Sequence, residues 1–243
     1  MKTYQTKQIR NVALLGNGGS GKTMLAESML YIGGVINRKG DIDSKNTVSD
    51  YRILEQNNGN SLFSTVMYTE YNDTKINIID NPGLDDFIGQ VVSSLNPADL
   101  GLLVVNAQNG VEVGTEIHNR YLDKAGKPVI IAMNHLDHDK TNFEKSLDML
   151  RESLGGNVVL AQFPVNQGVS FDSIIDVITM KMYTYKDGKT VVSEIPAEHN
   201  DQVEEVKTQL IEKAAEADES LMEKFFENDT LSEAEMMQGI AAG

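Results

Sequence analysis

A glycine-rich segment near the N-terminus has the residue types and spacing of a phosphate-binding loop. Residues 16–23 have the sequence GNGGSGKT, which fits G-x-x-x-x-G-K-[ST] at every fixed position. An apolar run at 12–15 precedes it and predicts a buried strand, and residues 23–30 predict a helix. Backbone N–H groups of such a loop point inward and bind phosphate, with the helix N-terminus behind them. The expected phosphate-binding residues are Asn17, Gly18, Gly19, Ser20, Gly21, Lys22 and Thr23.

Side chains in and after this loop are expected to complete a nucleotide and metal site. Lys22 would contact the β- and γ-phosphates, and the Thr23 hydroxyl would bind Mg²⁺. Residues 75–79 predict a buried strand that ends in Asp80, a position from which a carboxylate can hold Mg²⁺ beside the phosphate loop. Gly83 offers an unblocked backbone N–H to the γ-phosphate. The alternative interpretation is that both segments are ordinary turns.

A later segment has the pattern expected for guanine recognition. The apolar run 129–133 predicts a strand, and it leads into N-x-x-D, with Asn134, His135 and Asp137. The Asp137 carboxylate can accept hydrogen bonds from N1 and the exocyclic amine of guanine, whereas adenine lacks this pair of donors. The pattern is common by itself and gains weight from its place after the two phosphate-site segments. A metal site of His135 and His138 with the neighbouring aspartates is the alternative.

The predicted fold is α/β, a mixed and mostly parallel P-loop sheet with helices on both faces. The predicted strands are 12–15, 63–71, 75–79, 102–105, 129–133 and 158–160, and the predicted helices are 23–32, 112–125 and 141–153, the last closed by Gly155 and Gly156. Residues 37–61 are rich in Asn, Asp, Ser and Gly, and we expect a long mobile loop that orders around the γ-phosphate and Mg²⁺. A plain surface loop is the alternative.

The sequence changes in character at Phe163. The elements predicted after it are a hairpin at 182–192, one long amphipathic helix at 203–225, and a helix that begins at a capping box of Ser232 and Glu235. We therefore expect two parts, a P-loop core at 1–162 and a smaller α+β insert at 163–243.

The composition excludes several classes of function. The chain has 243 residues, no cysteine and a formal net charge of −15, of which −11 lies in 163–243 and −4 in the remainder. A general electrostatic footprint on nucleic acid is therefore excluded. The sequence has neither an 18-residue apolar run nor a secretory signal, so we expect a cytosolic protein that does not engage a membrane. The acidic part suits a basic protein partner, or it is only a solvated surface.

Taken together, these segments resemble the GTP-binding domain of elongation factor G, the ribosomal translocase, over essentially the whole chain. The resemblance rests on residues 77–83, 110–112, 115–116, 134–137 and 210–224. The last stretch is similar to the insert called the G′ subdomain, which separates elongation factor G from ribosomal protection proteins. Residues 46–51 look more like elongation factor G paralogues than the principal factor. The resemblance implies a cytoplasmic, monomeric protein that binds GTP, GDP and Mg²⁺ and acts on the ribosome, with the acidic insert available to ribosomal proteins.

The sequence departs from this family's pattern at positions that matter for chemistry. The family has a catalytic His directly after the Gly of D-T-P-G-H, and Leu84 stands there, so hydrolysis is expected to be weak or absent. In the switch loop, Ser61 keeps a hydroxyl for Mg²⁺, whereas Asn60 replaces an apolar residue. Gly19 replaces an aspartate, and His135 replaces the Lys of N-K-x-D. We therefore expect guanine recognition to survive but to weaken.

The resemblance also sets the expected function and its alternatives. We expect a GTP-binding module of a factor that promotes ribosomal translocation with little or no hydrolysis. The alternatives are a ribosome-stimulated GTPase that uses another water-positioning residue, and a ribosome protection or recycling factor. In the family, the loop that backs the guanine follows the G′ insert on one more strand, so we expect this chain to be an N-terminal fragment truncated before that strand.

Overall fold

The computed structural model describes residues 2–155 and 157–242 of the chain. It divides into two compact units, of which the first ends at His135 and the second begins at Leu136. Within the described residues, no helix combines the length and the apolar character needed to cross a membrane.

The first unit contains a five-stranded sheet in the order β2-β3-β1-β4-β5. Its strands are β1 (Ile9–Leu15), β2 (Thr65–Tyr71), β3 (Thr74–Asp80), β4 (Leu100–Asn106) and β5 (Val129–Asn134). Strands β2 and β3 form an antiparallel hairpin, and all the other pairs are parallel. The sheet is therefore mixed and mostly parallel, as the sequence predicted, and the carboxyl ends of β1, β3, β4 and β5 lie at one edge.

Helices cover both faces of this sheet, which confirms the predicted fold class. The helices of this unit are α1 (Lys22–Ile32), α2 (Ile53–Asn58), α3 (Ile88–Leu95) and α4 (Val113–Ala125). Side chains alternate between the faces of β1, and Val12 and Leu14 pack with the buried stripe of α1. The neighbouring Ala13 is in register with Gly101 of β4, where an added side chain would collide with Leu122 of α4. Helix α4 therefore covers the face opposite α1.

The polar segment at 37–61 is more ordered than the sequence predicted, because it contains α2 and is tied to α1. The Glu27 carboxylate of α1 is buried and accepts hydrogen bonds from the backbone N–H groups of Gly40 (2.7 Å) and Val48 (2.5 Å). Glu55 of α2 is also buried and accepts from the N–H groups that follow the helix, at Leu62 and Phe63. The prediction of a loop without internal structure was therefore wrong. Hydrogen bonds to two buried carboxylates hold the backbone of this segment, and composition alone does not indicate them.

The second unit combines an antiparallel sheet with a helical cluster. The elements are α5 (Phe143–Leu154), β6 (Gln162–Pro164), β7 (Ser173–Asp176), β8 (Lys181–Lys186), β9 (Lys189–Ser193), α6 (Asn200–Glu216), α7 (Glu219–Asn228) and α8 (Glu233–Ala242). The sheet has the simple order β6-β7-β8-β9, and it includes the predicted hairpin. Gly155 ends α5 as predicted, and the accompanying Gly156 lies outside the described residues.

Two predictions for this unit were wrong: one predicted strand is absent, and one predicted helix is two helices. Residues 158–160 form no strand, and the next strand, β6, begins only at Gln162. Val159 packs against the cluster of α6, α7 and α8. The long helix predicted at 203–225 is two helices, since the Asp218 side chain accepts a hydrogen bond from the N–H of Ser220 and starts α7 anew. The capping box predicted before α8 is confirmed, because Ser232 and Glu235 exchange side chain–backbone hydrogen bonds.

Candidate nucleotide-binding site

The phosphate loop connects the end of β1 to the start of α1, as predicted. Its glycines permit a backbone that other residues adopt only with strain, with φ of +129° at Gly16 and +94° at Gly21. A side chain at Gly16 would collide with the carbonyl of Val104 on β4, and one at Gly21 with the Asn134 amide. The loop is therefore seated directly on the carboxyl ends of β4 and β5.

The ammonium group of Lys22 is buried inside this loop. Its Nζ donates hydrogen bonds to the carbonyls of Gly16 and Asn17, both at 2.8 Å. Burial lowers the pKa of Lys22 to about 8, and the nearby carboxylates of Asp80 and Glu112 oppose the shift. A cation held in this way by two carbonyls is poised to bind an anion that enters the loop, because a phosphate oxygen is a stronger acceptor than a neutral carbonyl.

A cluster of oxygen atoms lies at the first turn of α1. The Thr23 hydroxyl donates to Asp80 Oδ2 at 2.7 Å, and Ser61 Oγ lies 3.2 Å from Thr23 Oγ1. Asp80 is completely buried, its Oδ1 has no hydrogen-bond partner among the described residues, and burial raises its pKa to about 6. Hydroxyl and carboxylate oxygens are the donors that Mg²⁺ prefers, so the three sequence-predicted metal residues form a set that fits this ion.

Asp50 is a further carboxylate in this region that the sequence reasoning did not select. It is buried beside Ser61, in the same cleft as Thr23, and its Oδ1 has no hydrogen-bond partner in the part of the chain that the structure describes. Burial raises its pKa, and the Ser61 hydroxyl opposes that shift. Its only signal in the sequence was its place in the segment 46–51, because no strand end or metal-ligand spacing marks it.

The segment after Asp80 lies directly over the phosphate loop. A side chain at Gly83 would collide with Lys22 Nζ and with the backbone N of Gly18, so only a residue without Cβ fits this close approach. The next residue, Leu84, is 41% exposed, and its side chain lies against Gly18. Leu84, Asn60 and Ser61 line one cleft with the phosphate loop. The group that faces the loop at residue 84 is therefore apolar.

The first two residues of the N-x-x-D pattern contact the phosphate loop from β5. Asn134 Nδ2 donates to the carbonyl of Ser20 at 2.9 Å, and His135 Nε2 lies 3.3 Å from the carbonyl of Gly19. His135 has a φ of +59° at the end of the strand. Asp137 is exposed in a turn of the second unit, and its part in binding a base stays a prediction.

The chain is similar to a known protein family and to a solved structure. The family model described as the elongation factor Tu GTP binding domain matches residues 7–228 of the chain. A crystal structure of a protein from Thermus thermophilus is 30% identical in sequence and superposes with a TM-score of 0.89. The match covers 96% of this chain and 35% of that one, so the chain spans about a third of the length of this relative.

Proposed function

We propose, since this chain belongs to the family of elongation factor Tu GTP-binding domains, that it is the GTP-binding region of an elongation factor G-like translation factor. A domain of this family binds guanine nucleotide. The observation that carries the proposal is the convergence of the phosphate loop, the buried Lys22 and the cluster of Thr23, Ser61 and Asp80 at one edge of the sheet. The resemblance of residues 210–224 to the G′ subdomain points within the family to elongation factor G.

The chain's own groups divide the work of binding in a definite way. Backbone N–H groups from Asn17 to Thr23 bind the phosphates, and Lys22 moves from its two carbonyl partners to phosphate oxygens. Thr23, Ser61 and Asp80 would hold Mg²⁺, which would offset the negative charge of the phosphates. Asn134 and His135 brace the loop.

Base selection falls to Asp137, with a contribution from the side chain of His135. The carboxylate accepts from two donors on guanine that adenine does not present together. The imidazole of His135 is shorter than a lysine stem and covers less of the base, so we propose selective binding of GTP and GDP that is weaker than N-K-x-D would give.

Hydrolysis is proposed to be weak because of Leu84. A residue that orients the attacking water must accept or donate a hydrogen bond, and an isobutyl group does neither. The side chain of Leu84 lies over Gly18 and presents only apolar atoms to the phosphate loop. The domain would therefore act as a switch between nucleotide-bound states more than as an enzyme.

A second candidate, a ribosome-stimulated GTPase, is favoured by Asn60. This residue lines the same cleft as Leu84 and directly precedes Ser61. A carboxamide oxygen can orient a water for attack on phosphate, which is the part that Gln plays in other GTPases. Replacing Asn60 with Ala distinguishes the candidates, because only the second requires its carboxamide for hydrolysis.

The wider biological role rests on the resemblance. We propose a core at 1–162 and a G′-like insert at 163–243, action on the ribosome in translocation, and cytoplasmic location as a monomer. The insert's charge of −11 gives basic ribosomal proteins a surface to contact. The G′-like residues weigh against a ribosome protection role.

Cosedimentation with purified ribosomes tests this role. We expect the chain to pellet with ribosomes when a non-hydrolysable GTP analogue and Mg²⁺ are present, and to remain in the supernatant with GDP. The Lys22→Ala variant is the matched control and should stay in the supernatant with either nucleotide, because it lacks the phosphate-binding ammonium. Equal pelleting of the chain with the analogue, with GDP and without nucleotide would contradict the proposed ribosomal switch.

A further inference from the structure

A buried histidine contacts the phosphate loop from below. His118 of α4 is completely buried, and its Nδ1 accepts a hydrogen bond of 2.8 Å from the backbone N–H of Gly16. Gly16 is the first residue of the loop and has a φ of +129°, a conformation that only glycine adopts readily. The strand pairs of β1 end at Leu15, and the imidazole supplies the acceptor for the Gly16 N–H.

The hydrogen bond determines the protonation state of the ring. Because Nδ1 accepts, the neutral imidazole carries its proton on Nε2. That Nε2 is buried and has no hydrogen-bond partner among residues 2–155 and 157–242. Burial and the charge of Lys22 lower the pKa of His118 to about 4, so the ring is neutral at physiological pH. A buried polar atom without a hydrogen-bond partner is rare in folded proteins. The hydrogen bond from Gly16 to Nδ1 explains why a histidine is present here although its Nε2 is unpaired in the described part of the chain.

The contact with Gly16 reaches Lys22 in one further step. The carbonyl of Gly16 accepts a hydrogen bond from Lys22 Nζ, at 2.8 Å, while the N–H of the same residue donates to His118. The imidazole of His118 therefore holds the N–H of Gly16, and the ammonium of Lys22 binds its carbonyl oxygen. A shift of Gly16 would move both the start of the loop and the carbonyl that holds Lys22 in place.

We infer that His118 is a positioning residue of the nucleotide site. It holds Gly16 in its positive-φ conformation, so that the loop and Lys22 are arranged for phosphate before nucleotide arrives. The inference rests on the proposed binding of GTP at this loop. The competing interpretation is that His118 only fills space in the core beneath the sheet edge.

Two substitutions separate these roles. Asn places its Oδ1 close to the position of Nδ1 and can still accept from Gly16, whereas Leu fills similar volume without an acceptor. We expect His118→Leu to weaken Mg²⁺-dependent GTP affinity by about tenfold, since the Gly16 N–H loses its partner. We expect His118→Asn to restore affinity to within about threefold of the wild-type value. Titration calorimetry measures the affinities.

Amide hydrogen exchange at Gly16, followed by NMR, supplies a readout that does not depend on nucleotide. Without nucleotide, exchange should be slow in the wild type and in His118→Asn and faster in His118→Leu. The exchange rates are compared after correction for differences in the free energy of unfolding, which urea titration measures. An Asn variant that binds GTP no better than the Leu variant, or a Leu variant with wild-type affinity, would overturn the inference. If the wild type itself bound no GTP, the proposed function would fail, and exchange at Gly16 would still decide the role of His118. If the Leu variant did not fold, His118→Ala, which also lacks an acceptor for the Gly16 N–H, would replace it in both measurements.

Discussion

A Leu84→His variant is expected to hydrolyse GTP roughly 10²- to 10⁴-fold faster than the wild-type chain in the presence of ribosomes, a lowering of the barrier by about 3–5 kcal/mol. The reason is the position of residue 84 over the phosphate loop, against Gly18 and in the cleft that contains Thr23 and Ser61. An imidazole there can hydrogen-bond to the attacking water, and leucine cannot. Release of inorganic phosphate from GTP measures the rate.

The matched control for this variant is Leu84→Met, which keeps an apolar group of similar volume. It should hydrolyse GTP at the wild-type rate, so that an increase specific to His reports on hydrogen bonding. Equal rates for the His and Met variants, with GTP affinity intact in both, would contradict the account of Leu84. If the wild type is already active and Asn60→Ala removes that activity, the second candidate function is the correct one.

The substitution Asp80→Asn is expected to stabilise the nucleotide-free chain by up to about 3 kcal/mol at pH 7 while it weakens Mg²⁺-dependent nucleotide binding. Burial raises the pKa of Asp80 from 3.8 to about 6, so the folded chain holds an unfavourable ionised carboxylate at neutral pH. Asparagine keeps the shape and removes the charge. Urea unfolding measures the gain, and calorimetry with and without Mg²⁺ measures the loss of binding.

The pH dependence of this gain follows from the direction of the shift. Because the folded-state pKa is the higher one, the folded chain binds more protons than the unfolded chain between pH 3.8 and about 6. The contribution of Asp80 to stability therefore falls as pH rises through that window. The difference between variant and wild type should be near zero below the window and full above it. The control is Asp148→Asn, which makes the same change at an exposed position on α5. A destabilised Asp80→Asn chain at pH 7 would contradict this explanation.

Each part of the site that the sequence predicted has its pattern within one short stretch of the chain. The phosphate loop, Asp80 at the end of its strand and Asn134 at the end of another all lie at one sheet edge, because parallel strands deliver their carboxyl ends together. The rule that positions them is local pattern plus sheet topology, and both are visible in a single sequence.

The parts that escaped prediction depend on a side chain reaching a distant backbone group. His118 accepts from Gly16 across 102 positions of sequence, and no spacing rule marks it. Glu27 had a faint signal, since it lies on the same buried stripe of α1 as Thr23 and Leu30. A carboxylate on an apolar helical stripe has to find donors, and in this chain the donors order the polar segment at 37–61.

The break between α6 and α7 shows a different limit. The apolar spacing continues across Asp218, so periodicity alone predicts one helix. The aspartate side chain competes by capping the N–H of Ser220, at 2.8 Å, and the chain turns there. Capping residues inside a periodic run carry this information, and the prediction gave them too little weight.

Calorimetric titration of GTP, GDP and ATP into the wild-type chain with Mg²⁺, beside the Lys22→Ala variant, tests whether this loop binds guanine nucleotide. We expect GTP and GDP to bind the wild type, ATP to bind neither protein, and the variant to lose most of its affinity for both guanine nucleotides because the buried ammonium is gone. Absence of GTP and GDP binding to the wild type, even at millimolar nucleotide, would contradict the claim that this loop is a working nucleotide site.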